Sequence, residues 1–171
     1  MTWRSSGYPK IEMSRGEALN ESYLAVPEAV PLARRALAAV AAAAGAAGDR
    51  LDEIRLAVSE ALTNVVLHAY RDSEVVGRLH VTAAIASDEL WVLIGDDGRG
   101  LHAWNDSQGL GIGLSLISGL SDDFAIVTRA SGGTEVQMRF DLRKAVSRPR
   151  GVNHDGRFVP RPLRPGLASR R

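Results

Sequence analysis

Apolar positions recur with two different periods along this chain, and the switches between them mark out its elements. Leu51, Ile54, Val58, Ala61, Leu62 and Val65 fall at helical spacing, which predicts a helix from a cap at Asp49 or Asp52 to about Tyr70. A helix before it is predicted from Pro27 to about Ala44. Proline suits its first position, Gly45 and Gly48 stop it, and its narrow alanine face allows close packing. Alternation predicts strands over residues 79–85 and 90–97, with SDE turning the chain between them. The second is apolar on both faces and is therefore expected at the centre of a sheet. A short strand over residues 22–26, a helix over about 112–120, and a closing hairpin of FAIVTRA and TEVQMRFDL joined by SGG complete the series. This order gives an α+β fold, a two-layer α/β sandwich whose mixed, mostly antiparallel sheet is covered on one face by helices.

Composition sharpens this picture at the ends of the chain. At 171 residues, with 45% hydrophobic and 24% charged residues, the chain can bury its own core as one domain. The absence of cysteine excludes disulfides, thiol catalysis and cysteine zinc sites. His68, His80, His102 and His154 have no ligand spacing. No stretch has the length and apolarity of a membrane span, so no membrane association and a cytoplasmic location are expected. The net charge of +1 conceals a basic tail, because residues 145–171 hold seven arginines against one aspartate. The expected division is a flexible leader over 1–20, a folded domain over 21–144, and a disordered or loosely docked Pro/Arg-rich tail over 145–171. The acidic balance of the domain opposes direct nucleic-acid binding, although the clustered arginines leave a phosphate-binding arm as an alternative.

Candidate chemistry lies in four pieces. Glu60 and Asn64, one helical turn apart, border the apolar stripe of the second predicted helix instead of lying opposite it. In DDGRG, Asp96 ends the central strand, and Gly98 and Gly100 permit a sharp turn. In GLGIGL, Gly109, Gly111 and Gly113 open a helix, where unpaired N–H groups favour phosphate. In GGTEV, a glycine pair and Thr134 enter the last strand. Each piece alone also reads as ordinary turn or surface chemistry, and the glycines match neither a dinucleotide fingerprint nor a P-loop.

In this order the pieces resemble the N, G1 and G2 boxes and the closing Gly-Thr of the Bergerat-fold (GHKL, histidine-kinase-like) ATPases, over about residues 22–142. More narrowly, EALTN…HAY, DDGRG and GLGIGLSLISGLSDDF resemble the anti-sigma-factor serine/threonine kinases of bacterial stress-response and sporulation switches. The resemblance implies ATP and Mg2+ as cofactors. It makes Glu60 the general base and Asn64 the magnesium ligand, with Asp96 accepting a hydrogen bond from the adenine amine. It gives phosphate-binding amides to Gly109, Leu110, Gly111, Ile112 and Gly113, and the base and ribose end to Gly98, Gly100 and Thr134. It implies a transcription regulator that sequesters a sigma factor and phosphorylates a STAS-domain anti-anti-sigma protein, with a homodimer among the assemblies it allows. His68 and Tyr70 match the family pattern and read as mainly structural, and Arg34 lies where such proteins meet partners. Only eight residues, LHAWNDSQ, separate Gly100 from Gly109, and they include no Lys or Arg. A lid this short keeps a non-catalytic ATP-binding regulator as the alternative. A detached histidine-kinase catalytic domain is weaker, since residues 1–50 hold no acceptor histidine.

Overall fold

In the computed structural model, residues 17–71, 73–100, 110–130 and 132–143 are described. Five strands, β1 (Glu17–Leu24), β2 (Arg78–Ala86), β3 (Glu89–Asp96), β4 (Asp123–Thr128) and β5 (Thr134–Asp141), form one sheet in the order β1-β2-β3-β5-β4. All four pairings are antiparallel, so the sheet is not mixed. β3 is central, as its apolar character on both faces predicts. The β2–β3 turn is made by Ser87 and Asp88, both at positive φ (49° and 67°), a backbone twist that suits a tight hairpin.

Three helices, α1 (Ala29–Ala43), α2 (Gly48–Asn64) and α3 (Leu110–Leu120), cover one face. Ala33, Leu37 and Ala41 of α1 are fully buried, as the alanine face predicts, and so are Ile54, Val58, Ala61, Leu62 and Val65 of the next helix. They meet Val81 and Ala83 of β2, Val92 and Ile94 of β3, and Val136, Met138 and Phe140 of β5 in a single core. The opposite face carries the alternate residues of each strand. There the Arg139 guanidinium lies over the Trp91 ring, 5.9 Å from its centroid, so Trp91 is buried without facing the helices.

Several boundaries depart from expectation for physical reasons. β1 begins at Glu17, so residues 17–20, assigned to a leader, are strand. Its alternation is weak because an edge strand buries little. The second helix begins at Gly48 after Ala47, with no side-chain cap. Asp49 lies in the first turn, where its charge suits the helix dipole, and Asp52 pairs with Arg55 at 3.0 Å. After Asn64 the helix widens into a π-helical turn, Val65–Ala69, which no residue pattern announces. Arg50, within α2, is buried. It reaches the Asp141 carbonyl (3.1 Å), the Leu120 carbonyl (3.3 Å), Glu53 and Asp122, and lies 5.4 Å from the Phe140 ring centroid. One guanidinium thus ties α2 to both ends of the closing hairpin. The rest of the predicted leader, the tail from residue 144, and the lid segment lie outside the described residues.

Candidate functional site

The central strand ends inside the molecule on Asp96, which is fully buried. Its Oδ1 accepts the N–H of Gly98 (2.8 Å) and the N–H of Thr134 (3.2 Å), joining the turn after β3 to the start of β5. Its Oδ2 has no partner among the described residues, and neither does the buried Oγ1 of Thr134 beside it in the chain of contacts. Burial pushes the Asp96 carboxyl up from its ordinary value. The two amides and the Arg129 guanidinium oppose the rise, and Asp97 adds to it. A buried carboxylate oxygen left without a protein donor is what a site for a ligand N–H requires.

Backbone packs closely around this carboxylate. A Cβ on Gly98 would collide with the Ala69 carbonyl, which also accepts the Arg99 N–H at 3.1 Å. A Cβ on Gly133 would collide with the Asp96 carbonyl, and Gly133 is further held at φ +78°. Gly100, at φ +74°, faces the Gly133 carbonyl.

Asp97 faces the other side of the sheet, where both its carboxylate oxygens have partners. Its Oδ2 pairs with His80 Nε2 at 2.6 Å, its Oδ1 with Arg129 Nη1 at 3.4 Å, and its N–H donates to the Tyr70 hydroxyl at 2.8 Å. The Tyr70 hydroxyl also accepts the Arg78 N–H (3.0 Å) and donates to the Arg78 carbonyl (2.6 Å). The structural reading of Tyr70 therefore holds, with its phenol pushed up chiefly by burial. His68 is held below its ordinary value by burial and then by Arg71, against a smaller opposite pull from Glu60.

One turn before the end of α2, Glu60 Oε1 occupies the space that a Cβ on Gly113 would fill, in the first turn of α3. A carboxylate there is favoured by the helix dipole. One turn further on, Asn64 is buried and its Nδ2 has no partner among the described residues. Because the two ends of a carboxamide are assigned and not observed, a half-turn would present its oxygen at the same place. Asn64, the π-helical turn and Ala69 then lead to the Gly98 turn.

The predicted residues thus fall into two groups, Glu60 with Gly113, and Asp96 with Gly98, Gly100 and Thr134, and Asn64 lies one helical turn beyond Glu60 on the way from the first to the second. Leu110, Gly111 and Ile112 lie in the first turn of α3, and Gly109 lies outside the described residues. Sequence reasoning treated Gly113 as an amide donor and missed that its bare Cα admits Glu60. It also missed Tyr70 as a hub and Gly133 as the closest approach to Asp96. The paired glycines of SGGT were the available signal for the last.

A family model described as the histidine kinase-like ATPase domain matches residues 23–140, and the chain belongs to that family. Its relatives narrow the class. The serine-protein kinase RsbW of Staphylococcus epidermidis is 31% identical over 134 residues, covering 70% of this chain and 84% of the relative. The serine-protein kinase RsbW of Bacillus cereus is 30% identical over 149 residues, covering 78% and 91%. A crystal structure of the RsbU and RsbW domains of a Mycobacterium tuberculosis protein matches with a TM-score of 0.57 and 27% identity. That match covers 72% of this chain and 31% of the longer one. Both the Bergerat-type fold and the anti-sigma serine kinase branch expected from the motifs are therefore borne out.

Proposed function

We propose that this protein binds ATP, sequesters a sigma factor, and phosphorylates a serine or threonine of a STAS-domain anti-anti-sigma protein. The observation that carries the reading is the placement of Glu60. Its carboxylate lies against the glycine-rich start of α3, on the same helix face as Asn64 and on the helix that leads to Asp96.

The residues present fit the nucleotide. Asp96 Oδ2 and Thr134 Oγ1 are buried polar atoms without described partners, suited to the amine of adenine and a bridging polar atom. An acceptor at that position favours adenine over guanine, which carries an oxygen there. Among the described residues no three acidic or histidine side chains converge on a metal. A magnesium ion would accordingly take Asn64 as its protein ligand and depend on phosphates and water for the rest. ATP supplies the transferable phosphoryl group when bound. Glu60 accepts the proton of the attacking hydroxyl, and the backbone at the start of α3, residues 110–113, is suited to cradle the phosphates. Phosphorylation puts a charge of about −2 into the partner's interface, which favours exchange of one partner for the other. No described helix is long and apolar enough to cross a membrane, and we infer action in the cytoplasm.

The test is incubation with labelled ATP, Mg2+ and the STAS proteins encoded by the same genome, alongside Glu60→Gln. Transfer to a STAS serine or threonine that Glu60→Gln abolishes supports the reading. ATP binding with transfer at background selects the non-catalytic regulator, and transfer insensitive to Glu60→Gln removes Glu60 from the mechanism.

A further inference from the structure

Asp96 is approached from behind by a residue that no motif includes. Gly95 points its missing side chain to the face of the sheet opposite the helices, where a Cβ would lie 2.7 Å from Arg129 Nη1. The guanidinium crosses the strand at that bare position. Nη1 donates to the Asp96 carbonyl at 3.3 Å and pairs with Asp97 Oδ1 at 3.4 Å. The backbone of Arg129 holds the neighbouring turn as well. Its N–H donates to the Gly133 carbonyl at 3.2 Å, and its carbonyl accepts the Gly132 N–H at 3.0 Å. Its side chain is only 16% exposed, although Asp97, its carboxylate partner, is open to water at 39%.

Asp96 and Thr134 stand one residue beyond Gly95 and Glu135, the last pair of the β3–β5 ladder, and each has one buried atom without a partner among the described residues. Past the end of that ladder, their relative position depends on the Asp96–Thr134 N–H bond in front and on the contacts of Arg129 behind. We propose that Arg129 is the positioning residue for nucleotide recognition: it clamps the Gly133–Thr134 turn to the Asp96–Asp97 strand end and so sets affinity for adenine and discrimination against guanine. This rests on the ATP reading of the site. Arginine suits the task because its planar fork reaches several acceptors at once, whereas a lysine offers a point charge. The positive charge behind Asp96 also favours its ionised form, against burial and Asp97, with the Tyr70 phenol nearby.

The experiment compares the full chain with Arg129→Gln and Arg129→Lys, each first shown to be folded by its thermal unfolding transition. ATP and GTP affinities are measured by titration calorimetry as a function of pH, and amide hydrogen exchange is followed at Thr134 and Gly98. For Arg129→Gln the expected results are an ATP affinity about tenfold weaker, a smaller ATP/GTP ratio, and an acid limit of binding displaced to higher pH. Faster exchange at Thr134 without nucleotide is also expected, and Arg129→Lys should lie between. An ATP affinity within about twofold of the parent with an unchanged ATP/GTP ratio overturns the proposal, whether or not exchange quickens. If the parent itself binds no ATP while Thr134 exchange quickens in Arg129→Gln, the ATP reading has failed. The clamp then survives as a structural feature, and the recognition role is overturned with the reading it rests on.

Discussion

The carboxylate of Glu60 and the missing side chain of Gly113 occupy one space: Oε1 stands where a Cβ on the glycine would be. Gly113→Ala must therefore displace the carboxylate, and the far end of a flexible side chain can move at little cost to the fold. A melting temperature within a few degrees of the parent is expected, with phosphotransfer reduced by about 10²-fold or more, the scale of a misplaced general base. Parallel thermal unfolding and labelled-phosphate transfer check both halves, and transfer at the parental rate would detach Gly113 from the chemistry.

Asp96→Asn separates binding from folding. Burial raises the carboxyl's folded-state pKa, so the fold holds that proton more tightly than the unfolded chain does. The contribution to stability falls as pH rises from the ordinary carboxylate value through the raised one, and stays low above it. At neutral pH the variant should accordingly melt at or above the parental temperature, while its ATP affinity drops at least about tenfold through loss of a charged acceptor. Melting curves from pH 3 to 8 should show the parent losing ground to the variant across that window. The reverse trend would mean the ionised form is favoured by the fold.

Gly132 and Gly133 predict a graded pair. Both have positive φ, but only Gly133 has backbone in the way, the Asp96 carbonyl. Gly132→Ala should cost about 1–2 kcal/mol for the conformation alone. Gly133→Ala should cost more than that and should also weaken nucleotide binding. Urea titration with comparable slopes for the two variants measures the difference.

Arg50 carries the largest stability prediction. Its guanidinium is buried among two carbonyls, Glu53 and Asp122, so Arg50→Ala leaves the Asp122 carboxylate without its buried partner. A loss of about 3–5 kcal/mol is expected. Adding Asp122→Asn should recover part of it, and that non-additivity in a denaturation cycle is the check.

How far the sequence reveals these features depends on what each residue acts through. Glu60, Asn64 and Asp96 were legible because polar side chains beside an apolar stripe, or at the end of a buried strand, contradict the surrounding pattern. Helix α1 and the central strand were legible because alanine and two-sided apolarity constrain their packing. Arg50 looked like any surface residue of a helix start, since its partners lie far along the chain. Tyr70 and Arg129 work largely through backbone groups, which no sequence spells out, and the π-helical turn arises from packing that leaves no mark in residue type. Glycines again marked close approach, but that the group approaching Gly113 is the Glu60 carboxylate is not written in the pattern.

The wide turn over Val65–Ala69 also fixes a phase. Each residue of an α-helix advances it by about 100°, and the wide turn takes up one residue more than a regular turn holds. Were the same residues to run on as regular helix, everything after the turn would be rotated by roughly that angle. The Ala69 carbonyl would no longer meet Gly98, and the Tyr70 hydroxyl would leave Arg78 and Asp97. An insertion at Val66 or Leu67 would likewise put the far end of the site out of phase. A single-residue deletion there would instead close the wide turn into regular helix and leave that end in place, as a spare link let out of a chain changes its slack and not its mesh.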